Sequence, residues 1–225
     1  MKTLVVIAHP DVTDSTTQQF FLESSQTLDD VKNHYIETDK INIQEQQELL
    51  KAYDRIIFQF PMYWYSAPYQ LKKWIDEVFD DSLMKGALKG KELGLVISLG
   101  VSEKNFAAGQ SEKFTLSELF RPFEALAGKC GMIYLPILSV SLFAYLEEPE
   151  KKALLVKYQQ YLTKENKSSF ENEEEWFVNR LETYLKEEDS NNQMVISSIL
   201  EGVKENRENL NELRMFVEEM RESNG

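Results

Sequence analysis

Residues 55–79 read RIIFQFPMYWYSAPYQLKKWIDEVF, and this stretch contains three kinds of local pattern in succession. The apolar run at 56–58 has the length and composition of a buried parallel strand. An aromatic segment at 62–65 follows Pro61, and apolar residues then recur with helical spacing after Pro68. Pro68 suits a first helical turn because its missing N–H would have no acceptor there. The stretch therefore predicts a strand, an aromatic loop and a helix.

The position of the aromatic loop indicates a binding site. In an open α/β sheet, ligands bind beside the loops that follow the carboxyl ends of strands. Tyr63 and Trp64 are therefore expected to contact a planar cofactor. The alternative is that these aromatic side chains fill a core beneath the loop.

The spacing of the stretch resembles one family closely. Read as Pro61-x-x-Trp64-x-x-x-Pro68-x-x-Leu71-Lys72-x-Trp74-x-Asp76-x-Val78-Phe79, it is similar to the flavodoxin-like NAD(P)H:quinone oxidoreductases. That family includes the modulator-of-drug-activity proteins and the ancillary oxidoreductase subunits of glutathione-regulated potassium efflux systems. The resemblance implies that the loop holds the isoalloxazine ring of FMN or FAD. The residues that it places at the ring are Pro61, Met62, Tyr63 and Trp64.

The composition excludes several classes of protein. The formal charge of −13 argues against nucleic acid or an anionic membrane as the main partner. No apolar run approaches the ~18 residues that a membrane span requires, and no metal-binding motif stands out. The single cysteine, Cys130, excludes an internal disulfide framework. It is expected to be a small buried hydrophobe in a cytoplasmic protein.

The charge is distributed unevenly, which predicts two regions. From residue 166 onward there are seven basic and fifteen acidic side chains, a net charge of −8. The first 165 residues carry only −5. We expect a flavodoxin-like, flavin-binding domain at 1–165 and an acidic helical extension at 166–225.

A second candidate segment follows the first predicted strand, at 3–8. His9 comes next, and Ser15 or Asp14 is a plausible cap for the helix after it. The free N–H groups of that helix start would bind a phosphate; the alternative is an ordinary turn that caps a helix. The resemblance implies that the flavin phosphate is held by His9, Ser15, Thr16, Thr17 and Gln18. Gln18 is a departure, because related proteins often have Asn there.

The third candidate segment follows the strand predicted at 93–99. The resemblance places its backbone at the flavin pyrimidine edge, with Ser98, Leu99, Gly100 and Val101 as the residues involved. Leu99 and Val101 depart from the family's Thr-rich loop, but backbone donors would survive such changes. No histidine follows His34, so the tyrosine–histidine pair of several quinone reductases is missing. Lys104 is the one substitute cation, and an exposed lysine is the alternative.

The remaining pattern completes the fold. Further strands are predicted at 31–37 and 132–138, and helices at 41–52, 117–131 and 150–162. The expected fold is α/β: a flavodoxin-like doubly wound five-stranded parallel sheet, in the order 2-1-3-4-5, with a C-terminal helical extension. His34 is expected to be a surface or structural residue.

The extension has a heptad-like seam. One register comprises Ile196, Val203, Leu210 and Val217, and the other comprises Ile199, Asn206, Leu213 and Met220. About three heptads are marginal alone, so this helix needs a partner. The partner would be its own domain, the preceding helix or another subunit, and self-association is our expectation.

Together these patterns predict a cytoplasmic flavoprotein that passes two electrons from NAD(P)H to a quinone-like acceptor. FMN is expected rather than FAD, because no adenine-binding signature is evident, and the resemblance implies a homodimer. The alternative is a flavodoxin-like regulatory or binding module with weak or no catalysis, acting through its helical tail.

Overall fold

A computed structural model of the chain describes residues 1–165, 170–187 and 190–223. The chain divides into two compact units, Met1–Thr163 and Lys164–Gly225. The predicted start of the extension, at residue 166, lies outside the described residues, so that boundary stays a prediction. Within the described ranges, no helix has both the length and the hydropathy to cross a membrane.

The first unit is a parallel sheet covered by helices on both faces. Its strands are β1 (Thr3–Ile7), β2 (Val31–Tyr35), β3 (Arg55–Pro61), β4 (Glu92–Leu99), β5 (Ile133–Tyr134) and β6 (Leu138–Ser141). Its helices are α1 (Thr16–Gln26), α2 (Ile43–Ala52), α3 (Tyr69–Val78), α4 (Leu116–Leu119), α5 (Arg121–Lys129) and α6 (Glu148–Thr163). The strand order is β2-β1-β3-β4-β5, with β6 also paired to β4. The predicted order is confirmed.

Strand β3 is the centre of this unit, because β1 and β4 pair with its two edges and all seven of its residues are buried. On one face, Phe58 packs against Trp74 of α3 and against the core residues of α2 and α5. On the other face, Ile57 joins the cluster that contains Phe21 of α1 and Tyr158 of α6. The apolar run and the helical spacing of the central stretch thus form the core as predicted.

The prediction of one fifth strand at 132–138 is wrong, because two short strands, β5 and β6, pair with β4 instead. Pro136 lies in the interruption, where it has no N–H to give to the ladder. The hydroxyl of Tyr161 bridges the interruption: it accepts from the Leu95 N–H at 3.0 Å and donates to the Pro136 carbonyl at 2.8 Å.

The single helix predicted at 117–131 is also wrong. The chain forms α4 and α5, which meet at Phe120. Pro122 stands in the first turn of α5, where its missing N–H is harmless, whereas in one continuous helix it would break the ladder. The closing helix, α6, extends past both ends of the predicted range 150–162.

The second unit contains two helices, α7 (Phe170–Glu187) and α8 (Ser190–Ser223), that pack against each other. Ion pairs of α8 with α7, Lys204 with Glu182 at 3.0 Å and Arg214 with Glu171, show that the pair is antiparallel. The preceding helix is therefore one partner of the seam. In the first register, Ile196, Val203 and Leu210 are half-buried. In the second register, Ile199, Leu213 and Met220 are exposed.

The Tyr161 bridge leads to a test with Gly94 of β4. A Cβ atom at this position would lie 2.5 Å from the Tyr161 hydroxyl oxygen and 2.7 Å from Ile57 Cδ1. We expect Gly94→Ala to lower the free energy of unfolding by ~1–3 kcal/mol, the usual effect of overpacking, as measured by urea denaturation.

Gly128→Ala is the matched control, because a Cβ atom at Gly128 in α5 would meet nothing within 4 Å. It should be neutral or stabilising, since alanine is the better helix former. Equal urea midpoints for the two variants would contradict the overpacking argument.

Candidate functional site

Three predicted segments meet at one edge of the sheet, because each follows the carboxyl end of β1, β3 or β4. The Ala8 N–H donates to the Gln59 carbonyl at 2.9 Å, which ties the end of β1 to β3. Pro61 of β3 is in register with Ser98 of β4, and the Met62 N–H donates to the Ser98 carbonyl at 3.0 Å. The aromatic loop and the segment at 98–101 are thus direct neighbours.

The start of α1 presents free backbone N–H groups. Ser15 is the N-cap, as predicted, and its Oγ accepts the N–H of Gln18 at 3.3 Å. The N–H groups of Thr16 and Thr17, in the first turn, precede every intrahelical acceptor. No acidic side chain stands in that turn, although Asp11 and Asp14 precede the cap.

His9 lies between β1 and this helix start, and its tautomer follows from its contacts. Its Nδ1 accepts the Asp11 N–H at 3.0 Å, so the proton of the neutral ring is on Nε2. Burial lowers the pKa of His9, although Asp11 opposes the shift. The neutral ring therefore presents one N–H donor at pH 7.

Asp11, which the sequence pattern did not single out, organises this loop. Its Oδ1 accepts the Thr13 N–H at 3.1 Å, the Thr13 hydroxyl at 2.7 Å and the Asp14 N–H at 3.3 Å. These hydrogen bonds, that of the Thr13 hydroxyl first, lower the pKa of the carboxyl group. The Asp-x-Thr spacing before a capped helix is the signal that would have found it.

The aromatic loop is a tight hairpin with an unusual backbone. Tyr63 and Ser66 exchange N–H···O bonds of 2.9 and 3.0 Å, and the two residues between them have positive φ, 48° at Trp64 and 64° at Tyr65. Positive φ at both central positions matches a type I′ turn, which normally takes Asn and Gly. Trp64 is 93% exposed, and Tyr63 and Tyr65 are also exposed. The alternative of an aromatic core beneath the loop is therefore wrong for these three residues.

The segment after β4 is held by its backbone. The Leu142 N–H donates to the Leu99 carbonyl at 2.9 Å, while the side chain of Leu99 is buried in the core. Further along the chain, the Tyr65 hydroxyl of the aromatic loop donates to Glu112 Oε2 at 2.9 Å, and this bond raises the pKa of Tyr65. Leu99 differs from the family's Thr-rich loop, but because its side chain is buried, only its backbone lies at the sheet edge.

Open space surrounds the rest of this segment. A Cβ atom at Gly100 would meet nothing within 4 Å. Val101 is exposed, and so is Lys104, so the alternative of an exposed lysine is observed.

A buried polar cluster underlies the site. Gln18 Oε1 accepts from Gln59 Nε2 at 2.7 Å, and Gln59 Oε1 accepts from the Tyr158 hydroxyl at 2.7 Å. Gln18 Nε2 is buried and has no hydrogen-bond partner in the part of the chain that the structure describes. Sequence reasoning missed Gln59 and Tyr158. The available signal was a glutamine inside an otherwise apolar buried strand, because such a residue needs polar partners.

His34 belongs to a different part of the sheet. A cleft of about 370 Å³ at the β2 edge is lined by His34, Glu45, Trp74 and others. The Trp74 indole N–H donates to Gln46 Oε1 at 3.0 Å, and His34 Nε2 bonds the same oxygen at 2.6 Å. These contacts fit the expectation that His34 is a surface or structural residue.

The lowered pKa of His9 predicts a pH dependence of stability. The unfolded chain takes up a proton near the ordinary pKa of 6.5, whereas the folded state resists protonation of the buried ring. The free energy of unfolding should therefore fall as the pH is lowered from about 7.5 to about 5.5, the range in which histidine titrates. Urea denaturation at several pH values measures this slope.

His9→Gln should reduce the slope without abolishing it, because burial also lowers the pKa of His34. A slope unchanged in His9→Gln, or stability that rises toward the lower pH, would show that His9 is not desolvated in the folded protein.

Comparison with known proteins identifies the family of this chain. The model of a family described as having a flavodoxin-like fold matches residues 1–163. An uncharacterized NAD(P)H oxidoreductase of Bacillus subtilis, YrkL, is 40% identical over 144 residues, which are 60% of this chain and 83% of YrkL.

Two solved structures are also similar. An NADPH-quinone reductase from P. pentosaceus is 49% identical, with a TM-score of 0.70 over 72% of this chain and 98% of its own. General stress protein 14 of Treponema denticola, solved in complex with FMN, is 28% identical, with a TM-score of 0.64 over 72% of this chain and 98% of its own. Since the family model spans well over half of the sequence, the chain belongs to this family of flavodoxin-like proteins.

Proposed function

We propose that this protein is a flavin-dependent oxidoreductase that uses FMN to pass two electrons from NAD(P)H to a quinone or similar electrophilic acceptor. The observation that carries the proposal is the meeting of three segments at one sheet edge: the N–H end of α1, the loop at 61–64 and the loop at 98–101. The NAD(P)H oxidoreductase and NADPH-quinone reductase names of similar proteins support the proposed reaction.

The residues present fit FMN in two respects. Among the described residues, the buried Nε2 group of Gln18 in the first turn of α1 has no acceptor, and Gly100 has open space where a flat ring needs room. FMN, when bound, supplies a ring that takes a hydride from the nicotinamide and returns two electrons to the acceptor. FAD remains the alternative; the FMN in the Treponema denticola relative favours FMN.

The chain's own groups bind and orient. The N–H groups of Thr16 and Thr17, with the hydroxyl of Ser15 nearby, would hold the phosphate, and His9 would donate from Nε2. The backbone at 61–64 and at 98–101 would flank the ring and shield it from water. We assign no side chain as a general acid or base.

The first test is titration of the full chain with FMN and with riboflavin, followed by quenching of flavin fluorescence. If the helix start holds the phosphate, FMN should bind roughly 10-fold or more tightly than riboflavin. Riboflavin has no phosphate and therefore cannot form the charge-assisted hydrogen bonds to the helix start. Absence of quenching by either flavin would refute the proposed function.

Gly100→Ala probes the ring side of the site. Because the added methyl group would touch nothing in the protein itself, the free energy of unfolding without flavin should stay within ~0.5 kcal/mol of wild type. Affinity for FMN and for riboflavin should fall together, because the two share the ring. Unchanged affinity for both would remove the loop at 98–101 from the site.

One observation favours the rival function, a binding module. Beyond Leu210, every side chain of α8 that the structure describes is exposed, and Leu213, Phe216, Val217 and Met220 are among them. Such apolar side chains suit a partner surface. Visible absorbance of the purified protein separates the functions, because a binding module would lack the flavin bands.

We further propose a homodimer. Several large side chains are exposed in the segments that follow strands of the sheet: Trp64, Tyr69, Phe114 and Tyr145, the last 82% exposed. They follow β3, β4 and β6, which are neighbours in the sheet. An edge so rich in exposed aromatic side chains is typical of a protein–protein interface.

Sedimentation velocity of the full chain at several concentrations tests the dimer. Trp64→Ser should weaken association if the sheet edge is the interface, whereas Phe216→Ser should do so if α8 is. A monomer in the wild-type protein at all concentrations would refute the proposal.

We also propose a cytoplasmic location. Cys130 is a free, buried thiol, and burial raises its pKa. A chain whose only cysteine is an unreactive core residue suits a reducing compartment.

A further inference from the structure

A chain of three buried side chains connects α6 and β3 to the start of α1. Tyr158 comes from α6, Gln59 from β3 and Gln18 from α1, and each is at most 1% exposed. Both hydrogen bonds in the chain are 2.7 Å long. These side chains are distant in sequence and fully buried, so their contacts are part of the folded core.

In this series of hydrogen bonds, each side chain donates to the next one toward Gln18. Burial raises the pKa of Tyr158, so its hydroxyl stays protonated and donates to Gln59 Oε1. The Gln59 amide is thereby oriented with its Nε2 toward Gln18 Oε1. Because Gln18 Oε1 accepts from Gln59, the Gln18 Nε2 atom is at the free end of the chain.

That free end belongs to a residue of the predicted phosphate site. Gln18 is the third residue of α1, in the same turn as the N–H groups of Thr16 and Thr17. Its Nε2 atom is buried without a hydrogen-bond partner among the described residues. An unpaired buried N–H destabilises a protein, and an anionic oxygen at this helix start would satisfy it.

We infer that Gln59 and Tyr158 are positioning residues that hold the Gln18 amide with its N–H toward a phosphate, so that the chain selects a phosphorylated flavin over an unphosphorylated one. The inference rests on the proposed function. It extends that function by assigning specificity for the phosphate to residues on three elements, two of them remote from the helix start in sequence.

Tyr158→Phe isolates the donor that sets the polarity. The aromatic ring remains, so its packing against Phe21, with ring centroids 4.5 Å apart, is kept. Without the hydroxyl, the Gln59 amide can reverse and the Gln18 amide loses its fixed orientation. We expect the dissociation constant for FMN to rise roughly 3- to 10-fold, with that for riboflavin unchanged.

Gln18→Met tests the N–H donor itself. It keeps the length and approximate volume of the side chain and removes the amide. FMN should bind roughly 10-fold or more weakly, again without a change for riboflavin. This variant also covers the case in which Tyr158→Phe does not fold.

Tyr161→Phe is the matched control. Tyr161 is also in α6, and its hydroxyl bonds Leu95 and Pro136 at a different part of the sheet. Its loss should lower stability and leave the ratio of the two dissociation constants at the wild-type value. A change of that ratio in Tyr161→Phe as large as in Tyr158→Phe would show general loosening and overturn the inference.

The remaining outcomes separate the inference from the function it rests on. A wild-type protein that binds neither flavin refutes the proposed function. A wild-type protein that binds FMN, together with Tyr158→Phe and Gln18→Met variants that keep its FMN-to-riboflavin ratio, leaves the function intact and refutes the positioning role.

Discussion

Strand β3 has no face in contact with water, and the arrangement of the first unit depends on that constraint. Two polar side chains, Arg55 and Gln59, are trapped in it and must find partners inside the protein. Arg55 pairs with Glu92 at 2.6 Å and also donates to the Tyr161 carbonyl. Gln59 bonds Gln18 and Tyr158. Both ends of the strand are therefore tied to α6, whose placement is set by polar groups as well as by apolar packing.

The aromatic loop at the sheet edge keeps a strained backbone because local hydrogen bonds hold it. Left-handed φ at a residue with a side chain costs roughly 1–2 kcal/mol, and Trp64 and Tyr65 both adopt it. The paired hydrogen bonds between Tyr63 and Ser66, and the bond from Tyr65 to Glu112, hold the turn. A glycine would relieve the strain. Two aromatic residues in its place fit the binding role proposed for this loop, because strained backbone is often found at functional sites.

The features predicted correctly from the sequence are those that repeat locally. The buried run before Pro61, the helix after Pro68 and the cap at Ser15 each depend on neighbouring residues, so the family, the strand order and the helix start were all correct. The sequence contains Pro136 and Pro122, but the apolar pattern around each proline predicts a continuous strand and a continuous helix. The interruption of the strand and the division of the helix are therefore not predicted.

Other features depend on distant partners. The exposure of Trp64 follows from a hairpin between Tyr63 and Ser66 that periodicity does not reveal. Gln59 meets Tyr158 across 99 positions of sequence, so no local pattern could join them.

The surroundings of the C-terminal helices also depend on contacts that a local sequence pattern does not reveal. The heptad pattern of the extension predicts one seam, but the surroundings of the seam change along α8, because α7 has 18 residues and α8 has 34. At about 1.5 Å per residue, α8 is roughly 24 Å longer than the helix beside it. The ion pair between Glu171 and Arg214 lies near the beginning of α7, so the residues after it have no cover from that helix.

Amphipathic spacing in the last turns of α8 is therefore not explained by the hairpin. A solvated helix would be expected to place charged residues at Leu213, Phe216 and Met220, and their exposure is unfavourable for a helix end that stands alone. The net charge of −8 from residue 166 onward makes an acidic partner or nucleic acid a poor match for this surface. The hairpin thus accounts for the half-buried Ile196, Val203 and Leu210, whereas the exposed Leu213, Val217 and Met220 require a contact of another kind.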